Sequence, residues 1–298
     1  MDGEGIKPFS GVFTALVTPF LVGGEVDYPS LIRLIDQQKG AKVSGLVVLG
    51  TTGETPTLTI AEQERVVATV VEHYQGEGEI IIGTGTNSTA STLESCQRAV
   101  SWGVKDFLIA TPYYNKPKQD GLFAHYSAVA EQFTDCRIVL YDVPGRTACH
   151  FAAETVLALQ AKYQNIVAVK DASGDLTKMN IYKKQAKPGF SLLSGDDPLL
   201  LPTLEMGGDG IVSVASNLIP AEIVQVYNCF AKGELASASK LFEQKLSLYQ
   251  ALFKESNPIP VKWFMNKNKI IAHNILRLPL TPLSEELVTQ YSKEFLGE

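Results

Sequence analysis

The sequence contains the run Ile166-Val167-Ala168-Val169-Lys170, and Asp171-Ala172-Ser173-Gly174 turns the chain directly behind it. Uninterrupted apolar residues without polar alternation are typical of strands that are buried on both faces of a parallel sheet. Further runs of the same kind occur along the chain, and each is followed by a turn cluster and a helical pattern. The eight strand candidates cover residues 11–17, 45–49, 80–83, 106–110, 138–141, 166–170, 190–194 and 211–214.

Helix-start signals lie between the strand candidates. Thr59 and Glu62 have the spacing of a capping box, and Asp197-Pro198 places a capping residue before a proline that suits the first helical position. Eight strand-then-helix units predict an α/β fold, a (β/α)8 barrel, with residues 1–230 as the catalytic domain. A doubly wound open sheet fits less well, because the glycine-rich segment 83–88 lacks the third glycine of a dinucleotide-binding loop.

Beyond residue 230 the pattern is helical only. Three helices are predicted, over residues 234–254, 258–273 and 284–295, with prolines at 258, 260, 279 and 282 between and within them. We therefore expect residues 231–298 to form a C-terminal helical extension that packs on the barrel.

The composition excludes several classes of protein. The chain has 298 residues, 45% of them hydrophobic, which supports a substantial core. Its net charge of −6 offers no basic stripe for nucleic acid, and no apolar stretch approaches the ~20 residues that span a bilayer. Residues 1–5 have no secretory pattern, the four cysteines form no C-x-x-C pair, and the four histidines are dispersed. These features predict a cytoplasmic protein without a metal site.

Polar residues follow the strand candidates at the end where barrel enzymes place their working groups. The relevant segments are G-T-T-G-E at 50–54, T-P-Y-Y-N at 111–115, Y-D-V-P-G-R-T at 141–147, Lys170 itself and S-G-D-D at 194–197. Hydroxyls, phenols, a guanidinium and an amine are therefore expected at one mouth of the barrel.

Lys170 is the candidate nucleophile of this mouth. Burial disfavours a charged ammonium, and a neutral amine attacks a carbonyl carbon to form a Schiff base. Considered alone, a lysine at a strand end is as readily one that extends its amine to solvent. The polar ends of the neighbouring strands favour the nucleophile.

The neighbouring groups have candidate roles of their own. The glycines of 50–54 allow a sharp turn whose amides and threonine hydroxyls can hold a small carboxylate, although a plain tight turn gives the same pattern. Tyr141 can donate and accept protons, unless it is a core residue. Arg146 offers a fork for a second carboxylate, with a surface ion pair as the alternative. Glu54 and Asp171 are interpreted as groups that brace the backbone.

Together these motifs resemble the dihydrodipicolinate synthase family. The resemblance also includes V-K-D-A-S-G at 169–174, L-S-G-D-D at 193–197, N-P-I-P-V-K-W at 257–263 and L-R-L-P-L-T-P at 276–282. It implies a lyase that condenses pyruvate with L-aspartate 4-semialdehyde to 4-hydroxy-tetrahydrodipicolinate and water, in lysine and diaminopimelate biosynthesis. It also implies a homotetramer, a dimer of dimers, and no cofactor, since a protonated imine is itself the electron sink.

The resemblance implies a role for each matching residue. Lys170 forms the imine with pyruvate. The proton relay consists of Tyr141, Thr51 and Tyr114, the last reaching the site from a neighbouring subunit. The substrate-binding residues are Thr52, Arg146, Gly195 and the backbone of Val212, with Arg146 holding the carboxylate of the semialdehyde.

Lysine-inhibited members of the family bind lysine in a cleft at a dimer interface. Asn87 and Tyr113 match that cleft, whereas Ile60, Gln63 and Ser91 stand where sensitive enzymes often have histidines and an acid. An apolar Ile60 and an uncharged Ser91 remove partners for the ammonium groups of lysine. The resemblance therefore implies weak or absent feedback inhibition.

Two alternatives accompany the synthase. N-acetylneuraminate lyase and the aldolases of 2-keto-3-deoxy sugar acids share the tyrosine and the imine lysine. Arg146 together with Tyr113-Tyr114 favours the synthase, because a sugar acid needs hydroxyl-reading groups in place of the arginine. A catalytically inactive small-molecule-binding barrel is the alternative of a different class, and the intact Lys170, Tyr141 and Thr51 disfavour it.

Overall fold

The computed structural model describes residues 8–297, which form a closed barrel of eight parallel strands in sequence order. The strands are β1 Gly11–Ala15, β2 Gly45–Val48, β3 Glu79–Gly83, β4 Asp106–Ala110, β5 Arg137–Asp142, β6 Ile166–Asp171, β7 Ser191–Ser194 and β8 Gly210–Ser213. The predicted fold is confirmed, with the predicted strand ends displaced by one or two residues. Residues 1–5, on which the expectation of no secretory signal depends, lie outside the described residues.

Two glycines lie side by side where β1 and β8 pair and close the barrel. Gly11 pairs with Gly210, and both have positive φ angles, of 99° and 157°. A Cβ atom on Gly210 would lie 2.0 Å from the carbonyl oxygen of Gly11. The two backbones can therefore approach each other because Gly210 has no side chain, whereas a Cβ atom on Gly11 would lie 1.9 Å from the Ser44 Oγ.

Helices cover the outside of the barrel. They are α1 Tyr28–Ala41, α2 Ile60–Tyr74, α3 Thr89–Ser101, α4 Gln119–Gln132, α5 Pro144–Thr147, α6 Ala153–Lys162, α7 Leu176–Gln185, α8 Leu200–Glu205 and α9 Pro220–Ala231. The predicted capping box is present at the start of α2, where Thr59 and Glu62 bind each other's backbone amides. Apolar residues on the inner faces of the helices, such as Val67 and Val70 of α2, pack against the strands and are fully buried.

The sequence predicts that Asp197 caps a helix, and this prediction is wrong. Asp197 begins a 3₁₀ turn, Asp197–Leu199, and α8 starts only at Leu200. The carboxylate does not cap its own helix, because it accepts hydrogen bonds from the Ser213 hydroxyl and from the amides of Val214 and Ala215 behind β8. Burial raises the pKa of Asp197 to about 6, and these donors partly offset the increase.

The C-terminal helices pack on the barrel. They are α10 Leu235–Glu243, α11 Leu246–Ala251, α12 Ile259–Lys267 and α13 Glu285–Tyr291, which a π-helical turn, Ser292–Leu296, extends. The helix predicted over 258–273 ends early, because Asn268 donates to the Phe264 carbonyl and Lys269 has a φ of 58°. Residues of these helices belong to the same buried core as the strands, and the domain division at 230/231 stays a prediction. None of the described helices has the length and apolar character needed to cross a membrane.

Candidate active site

A cavity of about 540 Å³ opens at the carboxyl ends of the strands. Six of the eight residues predicted for catalysis or substrate binding line it, namely Thr51, Thr52, Tyr141, Arg146, Lys170 and Gly195. Val212 is buried in β8 and is not part of the lining, whereas Val214, two residues further on, is. Tyr114 is 87% exposed and does not line this cavity. The described chain therefore brings together all the predicted residues except these two.

Lys170 lies at the centre of the strand ends that form the cavity. The β5–β6 register places it directly beside Tyr141, and its Nζ is 4.0 Å from the centre of the tyrosine ring. The lysine is only 6% exposed, and within residues 8–297 no carboxylate forms an ion pair with it. Its amine is therefore held in a largely apolar and aromatic environment that faces the cavity.

Gly195 allows the chain after β7 to pass this lysine. A Cβ atom at this position would lie 3.0 Å from the Lys170 Cε and 2.7 Å from the Ala172 Cβ. The Gly195 amide continues the strand ladder by donating to the Asp171 carbonyl over 2.7 Å. The glycine thus leaves room beside the amine while its backbone remains bound to β6.

The G-T-T-G segment forms a 3₁₀ turn, Thr51–Gly53, at the end of β2. Within it the Gly53 amide donates to the Gly50 carbonyl, and the Glu54 amide donates to the Thr51 carbonyl. The first amides of a helical turn have no acceptor inside the turn, so the amides of Thr51 and Thr52 are suited to an anion. Carboxylate binding by this turn stays a prediction.

Glu54 braces this turn against the C-terminal helices. Its buried carboxylate lies 2.5 Å from the Lys262 Nζ and accepts the backbone amide of Arg277 over 3.0 Å. Burial lowers the pKa of Lys262 to about 8, although the attraction of Glu54 acts in the opposite direction. The bracing role predicted for Glu54 is consistent with these contacts.

Sequence reasoning missed Asn257, which comes from the loop before α12. Its Nδ2 donates to the Thr52 hydroxyl over 2.8 Å, and its backbone carbonyl accepts the Arg146 guanidinium over 3.1 Å. Its Oδ1 is buried and has no hydrogen-bond partner among the described residues. Asn257 follows no strand, so a search of strand ends passes over it, and its only signal was the N-P-I-P segment.

The predicted proton relay is not joined by hydrogen bonds in the described chain. No hydrogen bond connects the hydroxyls of Thr51 and Tyr141, although both side chains face the cavity. Catalytic hydrogen bonds often tighten only when substrate is bound.

Among residues 8–297 there is no group of three or more His, Cys, Asp or Glu side chains arranged to hold a metal ion.

A second cavity of about 580 Å³ adjoins the first. Tyr113 and Gln63 line it, and Thr51 and Tyr141 face both cavities. Asn87 is not part of its lining, and its carbonyl accepts the Asn115 side-chain amide over 2.8 Å. Of the two residues matched to an allosteric cleft, only Tyr113 therefore faces this cavity.

Fold and cavity define a class of protein, a (β/α)8 barrel with a buried lysine at the centre of its carboxyl-end cavity. Within this class, the sequence model of the Dihydrodipicolinate synthetase family matches residues 8–295. The chain belongs to that family.

Individual relatives cover nearly the whole chain. The 4-hydroxy-tetrahydrodipicolinate synthase of Coxiella burnetii is 43% identical over 277 residues, 93% of this chain and 94% of that protein. The crystal structure of dihydrodipicolinate synthase from Thermotoga maritima has a TM-score of 0.92 and 41% identity, covering 96% of this chain and 98% of that one. Dihydrodipicolinate synthase from Acinetobacter baumannii, chloride-inhibited and complexed with pyruvate, has a TM-score of 0.90 and 36% identity over 95% and 97%.

Proposed function

We propose that this chain is a 4-hydroxy-tetrahydrodipicolinate synthase. It condenses pyruvate with L-aspartate 4-semialdehyde, giving 4-hydroxy-tetrahydrodipicolinate and water, in lysine and diaminopimelate biosynthesis. Family membership and the named relatives support this activity, and a relative has been crystallised with pyruvate. The observation that carries the mechanism is the buried Lys170 amine, which faces the cavity without a carboxylate partner.

The reaction begins with an imine on Lys170. The amine attacks the ketone carbon of pyruvate, the carbonyl oxygen leaves as water, and the resulting protonated imine withdraws electrons from the methyl group. Loss of a methyl proton gives an enamine, whose carbon attacks the aldehyde of the second substrate. The amino group of the semialdehyde then displaces Lys170 from the imine carbon, which closes the ring and frees the enzyme. Tyr141, beside the amine, exchanges the protons of these steps.

Two groups of the cavity lining bind the two substrate carboxylates. The amides at the start of the turn Thr51–Gly53 bind the carboxylate of pyruvate, and Arg146 binds that of the semialdehyde. Asn257 contacts both groups, through the Thr52 hydroxyl and the Arg146 guanidinium, and so fixes one relative to the other. This bridge explains how a residue from the C-terminal extension supports a site built on strand ends.

Two assays test the proposal in sequence. Borohydride reduction in the presence of pyruvate should attach a reduced pyruvyl group to Lys170, as peptide mass spectrometry would show. An unmodified Lys170 would instead indicate an inactive binding barrel. Coupled turnover with aspartate semialdehyde should then exceed turnover of N-acetylneuraminate and of 2-keto-3-deoxy sugar acids. The reverse preference would move the chain to the sugar-acid aldolases.

We also propose a homotetramer, a dimer of dimers, in which Tyr114 serves the site of a neighbouring copy. Tyr114 is 87% exposed, and Tyr113, Ile60 and Leu278 are further exposed apolar groups that an interface would cover. Mixing the Lys170→Ala and Tyr114→Phe variants, after dissociation and reassembly, should restore part of the activity. In a mixed pair, the Tyr114→Phe copy keeps its own Lys170 and receives Tyr114 from the Lys170→Ala copy, so one site is complete. Sedimentation as a monomer, or no recovery on mixing, would contradict this arrangement.

Weak feedback inhibition by lysine is proposed for the same chain. Ile60 and Ser91 are exposed and uncharged, so neither can pair with an ammonium group. We expect little loss of turnover at millimolar lysine, and half-inhibition at submillimolar lysine would refute the proposal.

A cytoplasmic location is proposed from the cysteines, which are all free, and fractionation of source cells would test it.

A further inference from the structure

The residues that follow Tyr141 and Lys170 form a buried acidic pair behind the cavity. Asp142 and Asp171 are opposite each other in the β5–β6 register, one position after the tyrosine and the lysine. Side chains alternate along a strand, so the catalytic pair faces the cavity while the two carboxylates face the helical layer. Both carboxylates are completely buried.

A single cation joins these two carboxylates. The Lys178 Nζ, from the first turn of α7, lies 2.5 Å from an Asp142 oxygen and 3.1 Å from an Asp171 oxygen. Burial alone would lower the pKa of Lys178, but the two carboxylates raise it above its ordinary value, so the ammonium stays charged. Burial also raises the pKa of Asp142, which Lys178 partly offsets.

The outer oxygens of both carboxylates are held as well. The Phe151 amide donates to Asp142 over 3.3 Å, and the Ser173 amide donates to Asp171 over 2.8 Å. The position of each carboxylate is therefore set from two sides. A change in the distance between them would shift the ends of both strands, and with them the side chains on the cavity face.

We propose that Lys178 is a positioning residue for the reaction on Lys170. Its ammonium holds the ends of β5 and β6 together from behind, which fixes the spacing between the Lys170 amine and the Tyr141 phenol. The inference rests on the proposed function, because it concerns the efficiency of imine formation. Lys178 itself has no contact with the cavity.

Lys178→Met tests the role, with Lys183→Met as its matched control. Lys183 lies on the same helix and loses a more exposed ion pair, to Asp209, whose carboxylate braces the start of β7 at the other end of the barrel. At a temperature well below thermal unfolding of each variant, Lys178→Met should lower the rate of pyruvate trapping by borohydride and kcat at least tenfold. The KM for pyruvate should change little, because the turn Thr51–Gly53 is untouched. Lys183→Met should keep wild-type rates, and Lys178→Arg should recover most of the lost rate.

A second variant separates positioning from stability. Lys178→Met combined with Asp142→Asn and Asp171→Asn leaves no unpaired buried charge, so it folds even where the single variant does not. Its trapping rate should remain at least tenfold low while its thermal stability rises above that of Lys178→Met. Wild-type trapping and kcat in either variant would overturn the positioning role. If wild-type protein formed no adduct, the proposed function itself would fail, which is a different result.

Discussion

One lysine is buried at the mouth of the barrel, and another is buried at the junction between the barrel and the C-terminal helices. The side chains that surround the two lysines differ. Lys262, at the junction, is fully buried and lies 2.5 Å from the Glu54 carboxylate. Lys170, at the mouth, is 6% exposed and contacts the Tyr141 ring, with no carboxylate paired to it in the described chain. Removing water from an ammonium is costly unless an acid compensates.

This difference distinguishes a lysine that stabilises the fold from a lysine that can act as a nucleophile. At the junction the opposite charges satisfy each other, and the pair connects the G-T-T-G turn to the extension. At the mouth a carboxylate would hold the amine as an ammonium and compete with substrate for it. The lack of an ion pair between Lys170 and any carboxylate of the described residues is therefore a more specific sign of a nucleophile than burial, which both lysines share.

Lys170→Ala should give the largest effect of any substitution. Loss of the amine removes the imine, so turnover should fall by at least ~10³-fold, as when other covalent nucleophiles are removed. The free energy of unfolding should change by only about 1 kcal/mol, since no carboxylate loses a partner. Kinetics together with urea unfolding would measure both quantities. Residual turnover within tenfold of wild type would show that another amine carries the chemistry.

Tyr114→Phe should lower turnover by about 10²–10⁴-fold, the range of positioned acid–base groups. The reason is that within residues 8–297 no carboxylate forms an ion pair with Lys170, so proton exchange at its amine depends on phenols and hydroxyls. Pyruvate trapping on Lys170 should persist, because the amine is intact. Tyr113→Phe removes a neighbouring phenol outside the proposed relay and is the control. Equal losses in the two variants would remove Tyr114 from the relay.

The eight-stranded barrel and six of its cavity residues could be predicted because their signals are local. Apolar runs mark strands, and the topology places every strand end at one mouth, so Lys170, Tyr141 and Arg146 follow from order along the chain alone. Asn257 could not be found in this way, because its position depends on how the extension folds back on the barrel. That packing is set by tertiary contacts such as the Lys262–Glu54 pair, which link residues 208 positions apart.

Asp197 shows the same limit at shorter range. Its sequence, an acid before a proline, is typical of a helix cap, yet the Ser213 hydroxyl at the end of β8 and the next two backbone amides donate to the same carboxylate. Tertiary donors outcompeted the local helix start. The sequence likewise predicts only part of the acidic pair behind the cavity, because it indicates a bracing role for Asp171 but not its partner Lys178, which lies on the next helix.

Lys262→Met tests the junction side of the comparison. It leaves the buried Glu54 without its cation, and breaking a buried pair costs about 3–5 kcal/mol of unfolding free energy. Denaturant titration would measure the loss. The double variant Lys262→Met/Glu54→Gln has no orphaned charge and should recover most of it. A double variant as unstable as the single one would mean that packing, and not charge, determines the effect.

His125 extends the comparison to a buried base that has no ion pair with an acid among the described residues, and its substitution should have the smallest effect on stability. Its Nδ1 contacts the Thr89 hydroxyl over 2.9 Å, its Nε2 has no hydrogen-bond partner among the described residues, and burial lowers its pKa. The unfolded imidazole takes up a proton as pH falls through about 6.5 while the folded one resists, so the unfolded chain binds more protons and stability falls. This contribution is complete above that pH and is lost below it by at most about 1.4 kcal/mol per pH unit. Urea unfolding at pH 7.5 and 5.5 should show a smaller loss for His125→Phe than for wild type. Parallel curves for wild type and His125→Phe would show that the buried imidazole is protonated as easily as a solvated one.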